Sequence, residues 1–178
     1  DDKMVDALNT PYGNESLDFV VSSNMIHHVP YPVKFFQEMH RILKPGGYVI
    51  IQEINASWCM RKILKLMRHE GYDFSINVFD PNLICTDPDD LWSANCAIPN
   101  LLFDDEARFN NEIKDFKIVH KGFSELFIFL NSGGVIAKTK CVKLPHFLLK
   151  LVNSIDKLLV SISPQTFALQ RQIVLKKQ

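Results

Sequence analysis

Three polar clusters in the first third of the chain carry the residue types that could do chemistry. They are Asp6-Ala7, Ser22-Ser23-Asn24 and Glu53-Ile54-Asn55, and two adjacent histidines, His27 and His28, follow the second. A histidine near its ordinary pKa of about 6.5 can take a proton from a reacting group, and it can equally pack and bond a nearby carbonyl. Glu53 is a second candidate base, or else a cap for the helix that follows. Serine and asparagine side chains can bind a polar ligand or cap the next turn. Polar residues after a buried strand also satisfy loose backbone ends, but that role needs one or two of them rather than three clusters.

The elements that position these clusters are strands. "LDFVVS" (17 to 22) and "YVIIQEI" (48 to 54) are near-continuous apolar runs, as expected of strands covered on both faces. A short strand at 3 to 6 is a third candidate. Val33, Phe36, Met39, His40 and Leu43 fall at helical spacing, and "KPGG" (44 to 47) stops that helix. Strand, helix and strand with short loops make a βαβ unit and a parallel sheet. Parallel strands bring all three polar ends to one edge, where ligands of open α/β sheets bind. The clusters are therefore expected to line one cleft.

Further on, a helix is expected over 58 to 70, closed by Gly71, then an irregular stretch over 72 to 103. A helix start at 104 to 113, a strand at 115 to 123 and a short helix with a glycine stop at 124 to 134 follow. Residues 144 to 163 read as an amphipathic helix whose stripe is Leu148, Leu151, Val152, Ile155, Leu158, Leu159 and Ile162. Packing of that stripe on the sheet is the expectation; a lid, a membrane-surface contact or a docking face for a lipid-linked acceptor is the alternative. The last strand is placed at 167 to 177. Trp58, Trp92 and Asn95 are candidates for an acceptor pocket, although tryptophan more often joins the core.

The order of these elements is familiar. Asp6-Ala7, Pro11-Tyr12, Ser16-Leu17-Asp18, Ile26-His27-His28 and Arg41-Ile42-Leu43-Lys44-Pro45-Gly46-Gly47, at these spacings, resemble the second half of a class I S-adenosylmethionine-dependent methyltransferase domain. The resemblance covers about residues 3 to 55. It implies a Rossmann-like, doubly wound, mainly parallel α/β sheet and S-adenosylmethionine as cofactor. Asp6 would accept from the adenine amino group, and the Ala7 N–H would meet a ring nitrogen. Ser22, Ser23 and Asn24 would line the methionine end. His27, His28 and Glu53 are the catalytic candidates, and no metal ligand set is read. The family's glycine-rich turn and ribose-binding acid lie upstream of the Asp-Ala pair and have no counterpart here. The chain is accordingly expected to be the C-terminal part of a longer enzyme, lacking the N-terminal strands. It divides into a cofactor-side core (1–55), an acceptor-side insert (56–113), and C-terminal strands with the amphipathic helix (114–178).

The expected activity is methyl transfer to a small-molecule acceptor: a sugar, a lipid or a secondary metabolite. The alternative is a non-catalytic methyltransferase-like scaffold or partner subunit, and a third is an unrelated nucleotide-binding α/β protein. With 178 residues, 47% hydrophobic and 22% charged, the chain can bury a core as one domain. Its net charge of zero supplies no global basic field, so no nucleic-acid partner is expected. The 4 cysteines form no CxxC pair, which argues against a zinc site or a dithiol redox site and for reduced thiols in the cytoplasm. No apolar run approaches the ~18 residues of a membrane span.

Overall fold

The computed structural model describes residues 5–68, 70–90, 92–132 and 141–178. The candidate strand at 3 to 6 lies partly outside these residues, and Val5 and Asp6 are not in a strand. The first strand is β1 (Leu17–Ser23), followed by a single 3-10 turn at Ile26–His28. Helix α1 (Pro32–Ile42) starts with proline in its first turn, where a missing N–H is harmless. Strand β2 (Leu43–Ile54) completes the βαβ unit. Then come α2 (Trp58–Met67), α3 (Ile98–Phe103), α4 (Glu106–Glu112), β3 (Phe116–Ser124), α5 (Phe127–Asn131), α6 (His146–Ile162), α7 (Pro164–Phe167) and β4 (Gln170–Lys177).

The sheet order is β1-β2-β4-β3. β1 pairs parallel with β2, while β4 runs antiparallel to both β2 and β3. Three of the four strands thus share one direction, and their carboxyl ends meet at one edge of the sheet. "KPGG" is an outward bulge at the start of β2: Leu17 pairs with Leu43 but Phe19 with Tyr48. Gly46 sits at φ 76°, and a Cβ on Gly47 would stand 2.9 Å from the Asp18 carbonyl oxygen, so both glycines are required. Lys177 from β4 donates to His40 O (2.8 Å) and Leu43 O (2.7 Å), placing a cation at the carboxyl end of α1.

One face of the βαβ unit is core. Val49 and Ile51 pack with Phe35, Phe36 and Met39 of α1, and the Phe36 ring meets Phe103, Phe109 and Phe116 at centroid distances of 6.4, 5.5 and 6.2 Å. Each such aromatic pair adds about 0.5–1.5 kcal/mol beyond its buried area. The opposite face differs from expectation. Phe19, Val21, Tyr48 and Ile50 are all exposed, so β1 and β2 are covered on one face only among the described residues. Among the described residues β1 is also an edge strand of the sheet.

Helix α2 ends at Met67 rather than reaching Gly71, because Arg68 turns left-handed at φ 47°. Gly71 instead bridges Asn95. The amphipathic stripe of α6 does not pack on the sheet. Leu151, Ile155, Leu158 and Ile162 are 56%, 41%, 61% and 67% exposed, and only Leu148, Val152 and Leu159 are half-buried. The helix turns inward on Asp156, whose carboxylate accepts from the N–H groups of Leu126, Phe127 and Ile128 at 2.9–3.1 Å. Three orphan donors at the start of α5 fix the rotation of α6, and they outweigh the apolar stripe because an unmet buried N–H costs about 1–3 kcal/mol. The glycines expected to stop α5 lie outside the described residues.

Candidate functional site

At the carboxyl edge, β1 leads through Ser23 and Asn24 into the 3-10 turn. Asn24 adopts φ 46° and its N–H donates to Gln52 O at 2.8 Å, which turns the chain away from the sheet. The turn is built around Glu53. This carboxylate is fully buried and accepts from Met25 N (2.5 Å), Ile26 N (2.6 Å) and Ile54 N (3.0 Å), with His27 Nδ1 at 2.7 Å. Burial disfavours the charged form of His27, but its bond to Glu53 and the charges of Glu53 and Glu70 outweigh that, so its pKa lies above the ordinary histidine value. His28 turns the other way, with its Nδ1 2.9 Å from Ser93 O.

Asp6, Ala7, Met25, His28, Tyr31 and Asp90 are among the residues lining a cleft of about 510 Å³. Asp6 Oδ1 also accepts from Leu8 N at 2.8 Å, closing a local turn. The loop behind it is fixed by Arg41. That guanidinium donates to Tyr12 O (2.8 Å), Asn14 Oδ1 (2.9 Å) and both oxygens of Glu38. Glu38 in turn accepts from Thr10 N (2.7 Å) and Thr10 Oγ1 (2.6 Å). Arg41 and Thr10 hold the Glu38 carboxyl well below its ordinary range, at about 2.

The expected site residues therefore separate. Asp6, Ala7 and His28 come together in one cleft. His27 and Glu53 lie behind it, so neither reaches the cleft; both act on the backbone that shapes it. Glu53 does not cap α2 either, since Ser57 does that by accepting from Met60 N at 3.2 Å. Ser22 lines a neighbouring depression of about 360 Å³ beside β1, together with Ala7 and Met25. Its buried Oγ has no hydrogen-bond partner among the described residues. Ser23 is exposed, and Asn24 Oδ1 accepts from Gln170 Nε2 at 3.2 Å, which directs it toward β4. Trp58 and Trp92 are exposed, and Asn95 is a structural link that binds Asp73 N and Ala97 N.

A second cleft, about 400 Å³, opens between β2, β3 and the segment before α4, and includes Asn55, Arg61, Phe74, Asn100, Lys121 and Arg171 in its lining. Arg171 organises it. Fully buried, it donates to Pro99 O (2.7 Å), Asn55 Oδ1 (2.8 Å) and Asp104 Oδ1 (2.5 Å). Burial pulls its pKa down despite the Asp104 charge. Sequence reasoning missed this residue. The available signal was an arginine between two glutamines just before the apolar run Ile173-Val174-Leu175. The 4 cysteines are free thiols; burial and the Asp80 charge push Cys85 up to about 11.

A sheet of this order, with its last strand antiparallel and a polar edge at the carboxyl ends of the other three, has the fold of the class I S-adenosylmethionine-dependent methyltransferases. An S-adenosylmethionine-dependent methyltransferase from Methanosarcina mazei superposes with a TM-score of 0.52 at 19% identity, over 98% of this chain and 66% of that one. Residues 3–51 match the methyltransferase domain family model. The chain is 42% identical over 48 residues to a demethylmenaquinone methyltransferase of Staphylococcus epidermidis, covering 27% of this chain and 20% of that protein. It is 36% identical over 52 residues to a phthiotriol/phenolphthiotriol dimycocerosates methyltransferase of Mycobacterium leprae, covering 29% and 19%. The chain thus spans about 20% of the length of the curated relatives it matches. The resemblance read from the Asp-Ala, His-His and KPGG elements is borne out, and the cofactor of this family is S-adenosylmethionine. Among the described residues, no helix is long and apolar enough to cross a membrane.

Proposed function

We propose that the protein transfers a methyl group from S-adenosylmethionine to a small-molecule acceptor, with a lipid favoured over a sugar or a polar metabolite. The observation that carries this reading is the meeting of Asp6, Ala7 and His28 in one cleft at the carboxyl edge of the sheet, inside the stretch that matches the family. Asp6 and Ala7 take the adenine end. The buried, unpartnered Ser22 hydroxyl and the exposed Ser23 take the methionine end. Methyl transfer from a sulfonium is a direct displacement, so the protein's task is mainly to align the reactants and exclude water. His28 is the histidine that lines the cofactor cleft, and His27 and Glu53 shape the turn that carries it. The acceptor enters over the second cleft, between the 56–113 segment and β3. A lipid is favoured because α6 presents an apolar stripe outward, and the relatives named above include enzymes named for demethylmenaquinone and phthiotriol dimycocerosates.

Calorimetric titration of the full-length protein with S-adenosylhomocysteine tests the cofactor half. Asp6→Ala should weaken binding by roughly 1–3 kcal/mol, the worth of a hydrogen bond to a charged group. Affinity equal to that of the parent would remove Asp6 from the site. Tight cofactor binding without turnover on any lipid, sugar or metabolite acceptor would favour a non-catalytic scaffold.

A further inference from the structure

His27 and His28 converge on a third residue that is distant in sequence. His27 Nε2 lies 3.7 Å from Glu70 Oε2, and His28 Nε2 lies 3.9 Å from Glu70 Oε1. One ligand atom from each of the three residues falls within 4.8 Å of the other two. The inner nitrogens are both committed elsewhere, His27 Nδ1 to the Glu53 carboxylate at 2.7 Å and His28 Nδ1 to Ser93 O at 2.9 Å. Each imidazole is thereby fixed in ring orientation with its Nε2 turned to the same carboxylate. This outer-shell pattern, a carboxylate or backbone carbonyl on the far nitrogen, is the one that orients histidines toward metal ions.

We propose that His27, His28 and Glu70 form a binding site for a divalent first-row cation of borderline softness, with Zn²⁺ the best match. Two imidazoles and a carboxylate are the ligand set of open, three-ligand zinc sites, whose fourth position takes water or substrate. A tetrahedral ion with bonds of about 2.0–2.1 Å needs its ligand atoms roughly 3.3 Å apart. The 3.7 Å separation runs to Glu70 Oε2 and the 3.9 Å one to Oε1, so both imidazoles stand near one carboxylate and an ion would draw the three groups closer together. His27 is buried, Glu70 is partly buried, and His28 is half-buried and lines the cleft shared with Asp6. The ion would sit behind that wall and tie the turn after β1 to the segment after α2. The Cys96 thiol, which donates to Glu70 Oε2 at 3.3 Å, orients the carboxylate from the far side.

The site is tested on the full-length protein after chelator treatment, by calorimetric titration with Zn²⁺ and by the visible spectrum with Co²⁺. One equivalent should bind, raise the melting temperature and give the intense bands of four- or five-coordinate cobalt. His28→Gln and Glu70→Gln should each weaken binding by roughly 100-fold or more, at or beyond the 10- to 100-fold typical of losing an outer-shell partner. His146→Gln, at the exposed start of α6, should bind like the parent. Absence of stoichiometric Zn²⁺ binding by the parent overturns the proposal, as does binding unchanged in both variants. The parent's cobalt spectrum remains decisive even where a variant fails to fold.

Discussion

The carboxyl edge of the sheet is organised twice, once by a buried acid and once by a buried base. Glu53 and Arg171 are direct partners in the β2–β4 register, and both are fully buried. Glu53 gathers backbone N–H groups and one histidine from the strand-to-helix connection of the βαβ unit. Arg171 gathers a carbonyl and two side-chain oxygens from α3, the β2 end and the residue after α3. The acid shapes a local connection, with partners within 28 residues; the base ties together segments up to 116 residues apart. A charge that serves its own connection leaves a trace in sequence at a fixed spacing, whereas one that serves a distant segment does not.

The largest expected effect breaks the base. Arg171→Ala removes the guanidinium donor from Pro99 O and Asp104 and one of the two donors to Asn55 Oδ1, and it opens a cavity, so it should cost about 3–5 kcal/mol in urea unfolding. A loss under about 1 kcal/mol would mean that water replaces the guanidinium and that the second cleft does not depend on it.

Breaking the acid should cost less. Glu53→Gln keeps the shape but swaps one acceptor oxygen for a donor facing N–H groups, which should cost about 2–3 kcal/mol. The loss should appear as faster hydrogen exchange at Met25, Ile26 and Ile54. Protection unchanged at those amides would show that the turn holds itself.

A third charge sharpens the contrast because it is paired at the half-exposed rim. Glu38 is held at about 2, below its ordinary value, so its contribution is complete above about 4.5 and is lost as the pH falls from there toward 2. With Arg41 partly open to solvent, the contribution should be ~2 kcal/mol near neutrality. Melting curves of the parent and Glu38→Gln should stand apart at about pH 6 and draw together as the pH falls from about 4.5 toward 2. A constant gap across that range would assign the effect to packing.

Residues 17 to 54 were legible because every signal in them is local. Apolar runs of strand length, helical spacing over 33 to 43 and the glycine stop all act within a few residues, and the Asp-Ala, His-His and KPGG elements pointed to the family. The network joining Arg41 and Glu38 to Thr10 and Tyr12 ties the Pro11-Tyr12 loop to the end of α1. The rotation of α6 was not legible. Its apolar stripe is the stronger pattern in sequence, yet three N–H groups of another segment claim Asp156, and burying that carboxylate sets the helix's facing. The two faces of β1 look alike in the run "LDFVVS"; coverage depends on what packs there, not on the strand. The sequence by itself determined the βαβ unit, its polar edge and the adjacency of His27 and His28. Only the tertiary structure decided which histidine meets the cleft, and only it brought Glu70 and Arg171 to that edge, because contacts between distant segments are set by packing and by the satisfaction of buried polar groups.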